Sequence, residues 1–299
     1  VRNDLPESAL EYSMAAGDVD TVADLTGRLV VPTYQQGRVT TVQRWFRWLQ
    51  DRGEIGKHPM TAVLASVVSA VTGRPAEADR WADIVDRWQI GDGARPDDPP
   101  AEAWAALVRA VLCRGGVMQM RADADEAVLR FAAEGIRAPI ASLCQGLARI
   151  LSGDLDGGDA SFADAVIIAT EAGAPEGLAE ALSERSLVAM ARGEWSRAEI
   201  LADQARNTLR QAGSEDSYAT TLVCAVAARV ALHRGEVQTA RQHLISAQRT
   251  RSLLTYAFPH MAVQARIELI HVHLALGDLA GARTLSKEVD ELLRRRPEL

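Results

Sequence analysis

The sequence predicts an all-α protein: a right-handed α-solenoid of stacked antiparallel helix pairs with repeats of 40–42 residues. Three observations predict it. First, the turn glycines Gly153, Gly193, Gly235 and Gly277 stand 40, 42 and 42 residues apart, and the last three are each followed five residues later by alanine. Second, apolar residues recur at helical spacing, and no segment alternates with the period of two that a half-buried strand needs. Third, the chain is 47% hydrophobic but only 5% aromatic, and rich in alanine, which lets helix backbones approach closely. A fixed period in this range, with two helices per unit, means stacked units that cannot bury their apolar faces alone.

Residues 1–90 read as an irregular helical part of the solenoid, 91–100 as a joint and 101–299 as the regular repeats, in one continuous superhelix. Asp4 and Pro6 open a first helix through Ala16, since proline suits a first helical turn. Gly17-Asp18 turns into a second helix, expected to stop near Val31 because Pro32 follows. Thr40 and Gln43 have the spacing of a capping box ahead of a helix over Val42–Leu49. Its Trp45, Phe46 and Trp48 read as core, with a docking surface for a neighbouring domain as the other reading. Pro59 starts a fourth helix, Met60–Val71, apolar almost all round and so expected to be buried. Gly73-Arg74-Pro75 turns into a fifth, with Ala78, Trp81, Ala82, Val85 and Trp88 at helical spacing. Gly, Pro and Asp crowd Ile90–Pro100, and its closing prolines forbid helix before Ala101.

Helices then alternate with turns. Ala101–Cys113 is followed by Gly115-Gly116 and a lengthened turn, then by Ala122–Gly135, Pro139–Leu151, Asp159–Ala172, Pro175–Ala191 and Ser196–Ala212. Ser217–His233, Val237–Leu253, Pro259–Leu276 and Leu279–Leu293 complete the series. Asp278, beside the last turn glycine, is placed to cap the helix after it.

A net charge of −7 and a pI near 5.5 leave no electrostatic footprint for nucleic acid or an anionic membrane. No apolar run is long enough to cross a bilayer. Cys113, Cys144 and Cys224 sit singly in apolar stretches without CxxC spacing, and read as reduced thiols of a cytoplasmic protein. There is no GxxxxGK[ST] phosphate loop, and no nucleophile has a recognisably placed base, so the segment is not expected to be an enzyme. Val1 is not an initiator methionine, and the last helix runs into Arg294-Arg295-Arg296-Pro297 without a polar capping helix. The chain therefore reads as a piece of something longer.

After the turn glycines, small packing residues follow at fixed spacing: Ala198, Ala202 and Ala205; Ala240, Leu244 and Ala247; and, more loosely, Ala282, Ser286 and Val289. This resembles the tetratricopeptide repeat, although the period exceeds that family's ~34 residues and its closing proline is missing. A wider resemblance covers nearly the whole chain. It is carried by Ala15-Ala16-Gly17-Asp18, by Gly37-Arg38 leading to Arg44-Trp45, and by Ala228–Leu232 with Arg234-Gly235-Glu236. Leu254–Pro259 with Val263–Arg266, and Ala275–Asp278 ending at Arg295-Arg296-Pro297, continue it. This ordered set resembles the MalT-like sensor region of large, STAND-type, ATP-dependent LuxR-family transcriptional regulators, in particular actinobacterial ones. The resemblance implies an effector-sensing or autoinhibitory domain. ATP binding and DNA binding are implied for other segments of the parent; this segment is expected to hold no cofactor and to make no direct nucleic-acid contact. The implied partners are a small-molecule effector or peptide and the parent's own domains. The alternative is a scaffold that binds a partner peptide or helix and has no effector.

Stepping 100° per residue along Pro259–Leu276 puts His260, Gln264, Glu268 and His271 on one stripe. Measured from the turn glycine, earlier repeats place Tyr218 and Arg229, with His233 beside them, and Glu176, Glu180 and Glu184 on the same stripe. In tetratricopeptide arrays the first helix of each pair lines the concave groove, so the resemblance makes this stripe groove-facing. It is the candidate ligand surface; the plainer reading is a solvated helix face. Arg249, Arg251 and Tyr256 crowd one loop and form a possible anion site, although cations near a helix C-terminus are favourable without a ligand. Arg185 and Arg192 share a second stripe that reads as structural ion pairing. His271 and His273 are two apart on a helix and point to opposite sides, so no metal site is expected.

Overall fold

The computed structural model describes residues 4–52, 58–87, 101–133 and 135–299. The joint assigned to 91–100 and Trp88 lie outside the described residues. These form helices α1 (Asp4–Ala16), α2 (Val19–Gln35), α3 (Val39–Asp51), α4 (Pro59–Val71), α5 (Pro75–Arg87), α6 (Ala101–Leu112) and α7 (Gly116–Ala133). They continue with α8 (Pro139–Leu151), α9 (Leu155–Glu171), α10 (Pro175–Ala191), α11 (Trp195–Ala212), α12 (Ala219–His233), α13 (Val237–Thr250), α14 (Pro259–Ala275) and α15 (Leu279–Arg295). A single 3-10 turn, Arg251–Leu253, follows α13, and no strand occurs among the described residues.

One device closes the pairs. At Gly193 (φ 76°) the glycine N–H donates to the Met190 carbonyl at 3.0 Å, and the Glu194 N–H donates to the Ala189 carbonyl at 2.9 Å. This closure needs a left-handed residue, which glycine supplies without strain. The same two bonds recur at the turns before α9, α13 and α15. The next helix is then capped: Asp278 accepts from the Gly281 N–H at 2.9 Å, and Asp154 does the same from Gly157 at 2.9 Å.

The first helices α4, α6, α8, α10, α12 and α14 pack each on the next, whereas neighbouring second helices scarcely touch. Each pair is thus a wedge with its narrow side at the first helix, so the stack curves with the first helices inside. Ala198, Ala202 and Ala205 in α11, and Ala240 and Ala247 in α13, are buried where second helices meet their partners. The looser last repeat buries Ala282 and Leu285, while Ser286 is exposed. Trp45 and Phe46 are core; Trp48 is half-buried, with the Arg52 guanidinium 3.6 Å from its ring centroid.

The curvature carries the stack back onto itself. Arg296, just past α15, donates from its second amino group to Asp79 of α5 at 2.9 Å. A Cβ on Gly73 would lie 3.2 Å from the Leu253 Cα, and one on Gly116 only 2.6 Å from the Glu298 carbonyl oxygen. Ala257 joins the apolar cluster built by α1–α6. The last repeat therefore seals against α5–α7.

Several helix boundaries differ from the sequence reading: α9, for one, begins at Leu155 and not Asp159, because Asp154 caps it. α2 does not stop at Val31 but runs through Pro32 to Gln35. The turn that Pro32 weakens buries Thr33 and packs Tyr34 between two core clusters, which offsets one missing hydrogen bond. α3 begins at Val39 with Arg38 in the cap position and no side-chain cap, because the Gly37 turn sets its start; Thr40 lies in its first turn rather than capping it. α7 begins at Gly116 instead of Ala122, since the positive φ at Gly116 completes the turn without extra residues.

Candidate functional site

The stripe is assembled from three first helices, but it is not the solvated face that its polarity predicts. Glu180 and Glu184 on α10, Tyr218 just before α12, and His260 and Glu268 on α14 are buried. Gln264 and Arg229 are half-buried; His233 and His271 are exposed. The cause is the tight coil. Gln264 reaches past α12 to donate to Glu184, two repeats away, at 2.8 Å. The Tyr218 hydroxyl donates to Glu180 at 3.3 Å, and Arg229 donates to Glu268 at 2.5 Å. Tyr34 of α2 packs against the same core and feels the charge of Glu176, so the first repeats cover the interior that the later ones line.

Burial without full pairing governs the ionisation. Loss of water pushes the Glu184 carboxyl up from 4.5 to about 8; the Gln264 amide opposes this and the Glu268 charge adds to it. Glu180 is raised for the same reason, with Glu184 adding to the shift and the Tyr218 hydroxyl opposing it. Burial alone drops His260 from 6.5 to about 3, so its ring is neutral. Both His260 nitrogens and one oxygen of Glu184 are buried without a hydrogen-bond partner. Native interiors satisfy nearly all such atoms, so three in one region mark it out.

The stripe opens to solvent through a cleft of about 360 Å³, lined by Arg229, His233 and His271 together with Trp195, Leu232, Leu274 and Ala275. Trp195 is a cleft-lining side chain that the sequence reading did not place in the site. Its indole stacks on the His233 imidazole, with centroids 3.8 Å apart and planes 5° apart. Its position after the turn is apolar in the other repeats too, at Leu155, Val237 and Leu279, so it passed as repeat pattern. Its bulk was the one distinguishing signal.

The remaining candidates hold the frame. Arg185, Arg192 and Arg197 converge on Asp159 of α9, at 2.9, 3.5 and 2.8 Å. Arg251 pairs with Glu288 at 3.1 Å, and the Arg296 guanidinium lies 5.1 Å from the Tyr256 centroid. Arg251 and Tyr256 of this loop thus dock the C-terminal helix, and Arg249 is exposed. His273 is buried and bonds Asp278 at 2.8 Å, whereas His271 faces the cleft. The three cysteines are free and buried, with Cys113 and Cys224 pushed up to about 11 by burial. Among the described residues no group of three acidic, His or Cys side chains could hold a metal ion, and no helix is long and apolar enough to cross a membrane.

Helix pairs of this period, curving with first helices inside, define a tetratricopeptide-like α-solenoid. No family model and no curated protein sequence matches the chain. Solved structures are similar in fold. A Rap protein complexed with Competence and Sporulation Factor matches with a TM-score of 0.62 at 8% identity, over 99% of this chain and 98% of that one. The apo quorum sensor NprR from B. thuringiensis matches with a TM-score of 0.52 at 10% identity, over 90% and 75%. The Cut9–Hcn1 hetero-tetramer of the APC/C matches with a TM-score of 0.52 at 14% identity, over 97% and 59%.

Proposed function

We propose that this solenoid is a sensing domain whose inner surface binds a peptide or small polar effector and passes the event on as a change of superhelical curvature. One observation carries the reading. Polar side chains of three successive repeats meet on the inner face, with buried polar atoms left unpartnered, at the point where Gln264 and Glu184 tie α14 to α10. A group that satisfies those atoms alters a contact spanning two repeats, and so the angle between them. Coupling of about 1–3 kcal/mol is enough to shift a two-state equilibrium. The similar Rap structure contains a signalling factor, and NprR is a quorum sensor; both support a sensing role for this fold.

The parent in this proposal is an ATP-dependent LuxR-type regulator of the cytoplasm, on the ordered sequence set described first. ATP and DNA contact would then belong to its other segments, and the solenoid would hold or release its switch module. Thermal-shift screening of metabolites and short peptides tests the binding role. A binder should raise the melting temperature saturably, and Arg229→Ala and Gln264→Ala should remove the rise while the empty variants stay folded. An undiminished rise in both variants would place binding elsewhere and sink the groove assignment.

A further inference from the structure

We propose that the cleft between the start of α11 and the ends of α12 and α14 binds a carboxylate carried on an apolar or aromatic body. This rests on the sensing role above and names the chemistry of its ligand. At about 360 Å³ the cleft has the size of a small-molecule site. Its wall is the Trp195–His233 stack, a flat π surface for an aromatic or aliphatic group. Leu232, Leu274 and Ala275 add apolar lining. A bare inorganic ion would surrender its hydration to these methyl groups.

The lining groups that carry or can acquire charge are all of one sign: the Arg229 guanidinium and the His233 and His271 imidazoles. A carboxylate, Glu268, stands behind Arg229 and His271. Its side chain is 11% exposed against 26% for Arg229, and its Oε2 accepts from the Arg229 Nη1 at 2.5 Å and lies 3.7 Å from His271 Nδ1. A guanidinium carries five N–H donors in a rigid fork. Glu268 engages one end of that fork and fixes its plane, leaving donors for a planar carboxylate, the partner that guanidinium geometry matches best. The ends of α12 and α14 oppose an anion, because helix C-termini carry about half a negative charge. That opposition is blunted at α12: the Val230, Ala231 and Leu232 carbonyls already accept from Arg234, Glu236 and Gly235. Arg229, although paired with Glu268, sets its remaining N–H donors against it.

Such a carboxylate occurs on a free organic acid and at the C-terminus of a peptide. The test uses both: phenylacetate, and the tripeptide Ala-Ala-Phe with a free C-terminus, each beside its amide. The reporter is the Trp195 indole N–H resonance in ¹H–¹⁵N spectra of the full chain, assigned with Trp195→Phe. At least one acid should move it saturably, with its amide binding about tenfold weaker or worse. His271→Gln changes a side chain that is half exposed, and should weaken the acid without unfolding the protein. Arg229→Gln should abolish the difference between acid and amide. Response to phenylacetate assigns a free acid; response to the tripeptide alone assigns a peptide end. Equal binding of acids and amides overturns the carboxylate assignment and leaves the sensing role standing. An unmoved Trp195 resonance with all four probes overturns the cleft as the site, whatever the thermal-shift screen finds.

Discussion

Glu184 and His260 lie buried in one interior and tilt the stability of the fold in opposite directions with pH. Glu184 holds its proton up to about pH 8 in the folded chain, against 4.5 when unfolded. Its contribution is fully present below 4.5 and is lost as pH rises through 8. His260 is the reverse: 6.5 unfolded and about 3 folded, so stability is lost as pH falls from 6.5 towards 3. Each slope is at most about 1.4 kcal/mol per pH unit. The two oppose between 4.5 and 6.5, so their joint contribution is flat there and falls on either side. Glu180, raised by the same burial, adds a fall of the same sign as that of Glu184, so urea unfolding across pH should show stability lost from about 4.5 upwards as well as on the acid side. Glu184→Gln should make the alkaline limb shallower, with Glu180 supplying what remains, and His260→Leu should flatten the acid limb; a profile unchanged by both substitutions refutes the account. At this scale the sequence was half legible. The helical angle put Glu180, Glu184, Gln264 and His260 on one stripe, but nothing local to those residues tells that Tyr34, far earlier in the chain, helps to close the space over them.

Among the helices, two kinds of glycine make different demands. Gly193 needs its left-handed conformation and has open space around it, so Gly193→Ala pays only backbone strain, about 1–2 kcal/mol. Gly146 sits inside α8, where alanine would be the better helix former, but a Cβ there would overlap the ring of fully buried Phe162. Gly146→Ala should therefore cost more than its helix propensity returns, about 1–3 kcal/mol by overpacking. Chemical denaturation of both variants decides this; a stabilised Gly146→Ala protein would mean that the α8–α9 contact is looser than described. The helices themselves were largely readable, because glycine turns and 3.6-residue periodicity are local signals. The exceptions share a cause. Pro32 and Thr40 obey local rules in isolation, and here tertiary burial of Thr33 and Tyr34 and the geometry of the Gly37 turn override them.

Over the whole molecule, the contact between Arg296 and Asp79 spans 217 residues and joins the last repeat to α5. No sequence pattern announces it, since it depends on a small rotation per repeat summed along the stack. Asp79 also receives Arg114 at 3.0 Å, so Asp79→Asn weakens two ion pairs at once. Both are partly exposed, and the expected loss is about 1 kcal/mol. Small-angle scattering should show a wider particle, and amide exchange should quicken in α5 and α15 while α8–α11 keep their protection. Unaltered scattering and exchange would show that apolar contacts at Ala257 and Leu253 hold the seam unaided.

That seam changes how the molecule should come apart. In an open stack each unit leans only on its neighbours, and the terminal units fray first at little expense to the middle. Here the last unit leans on α5–α7 as well as on its neighbour. Peeling it away gives up the seam before it relieves anything else, so its loss is discouraged and loss of the units within the closed stretch follows it. Melting should therefore look like one sharp event, closer to that of a globular domain than to the stepwise unzipping of a linear array.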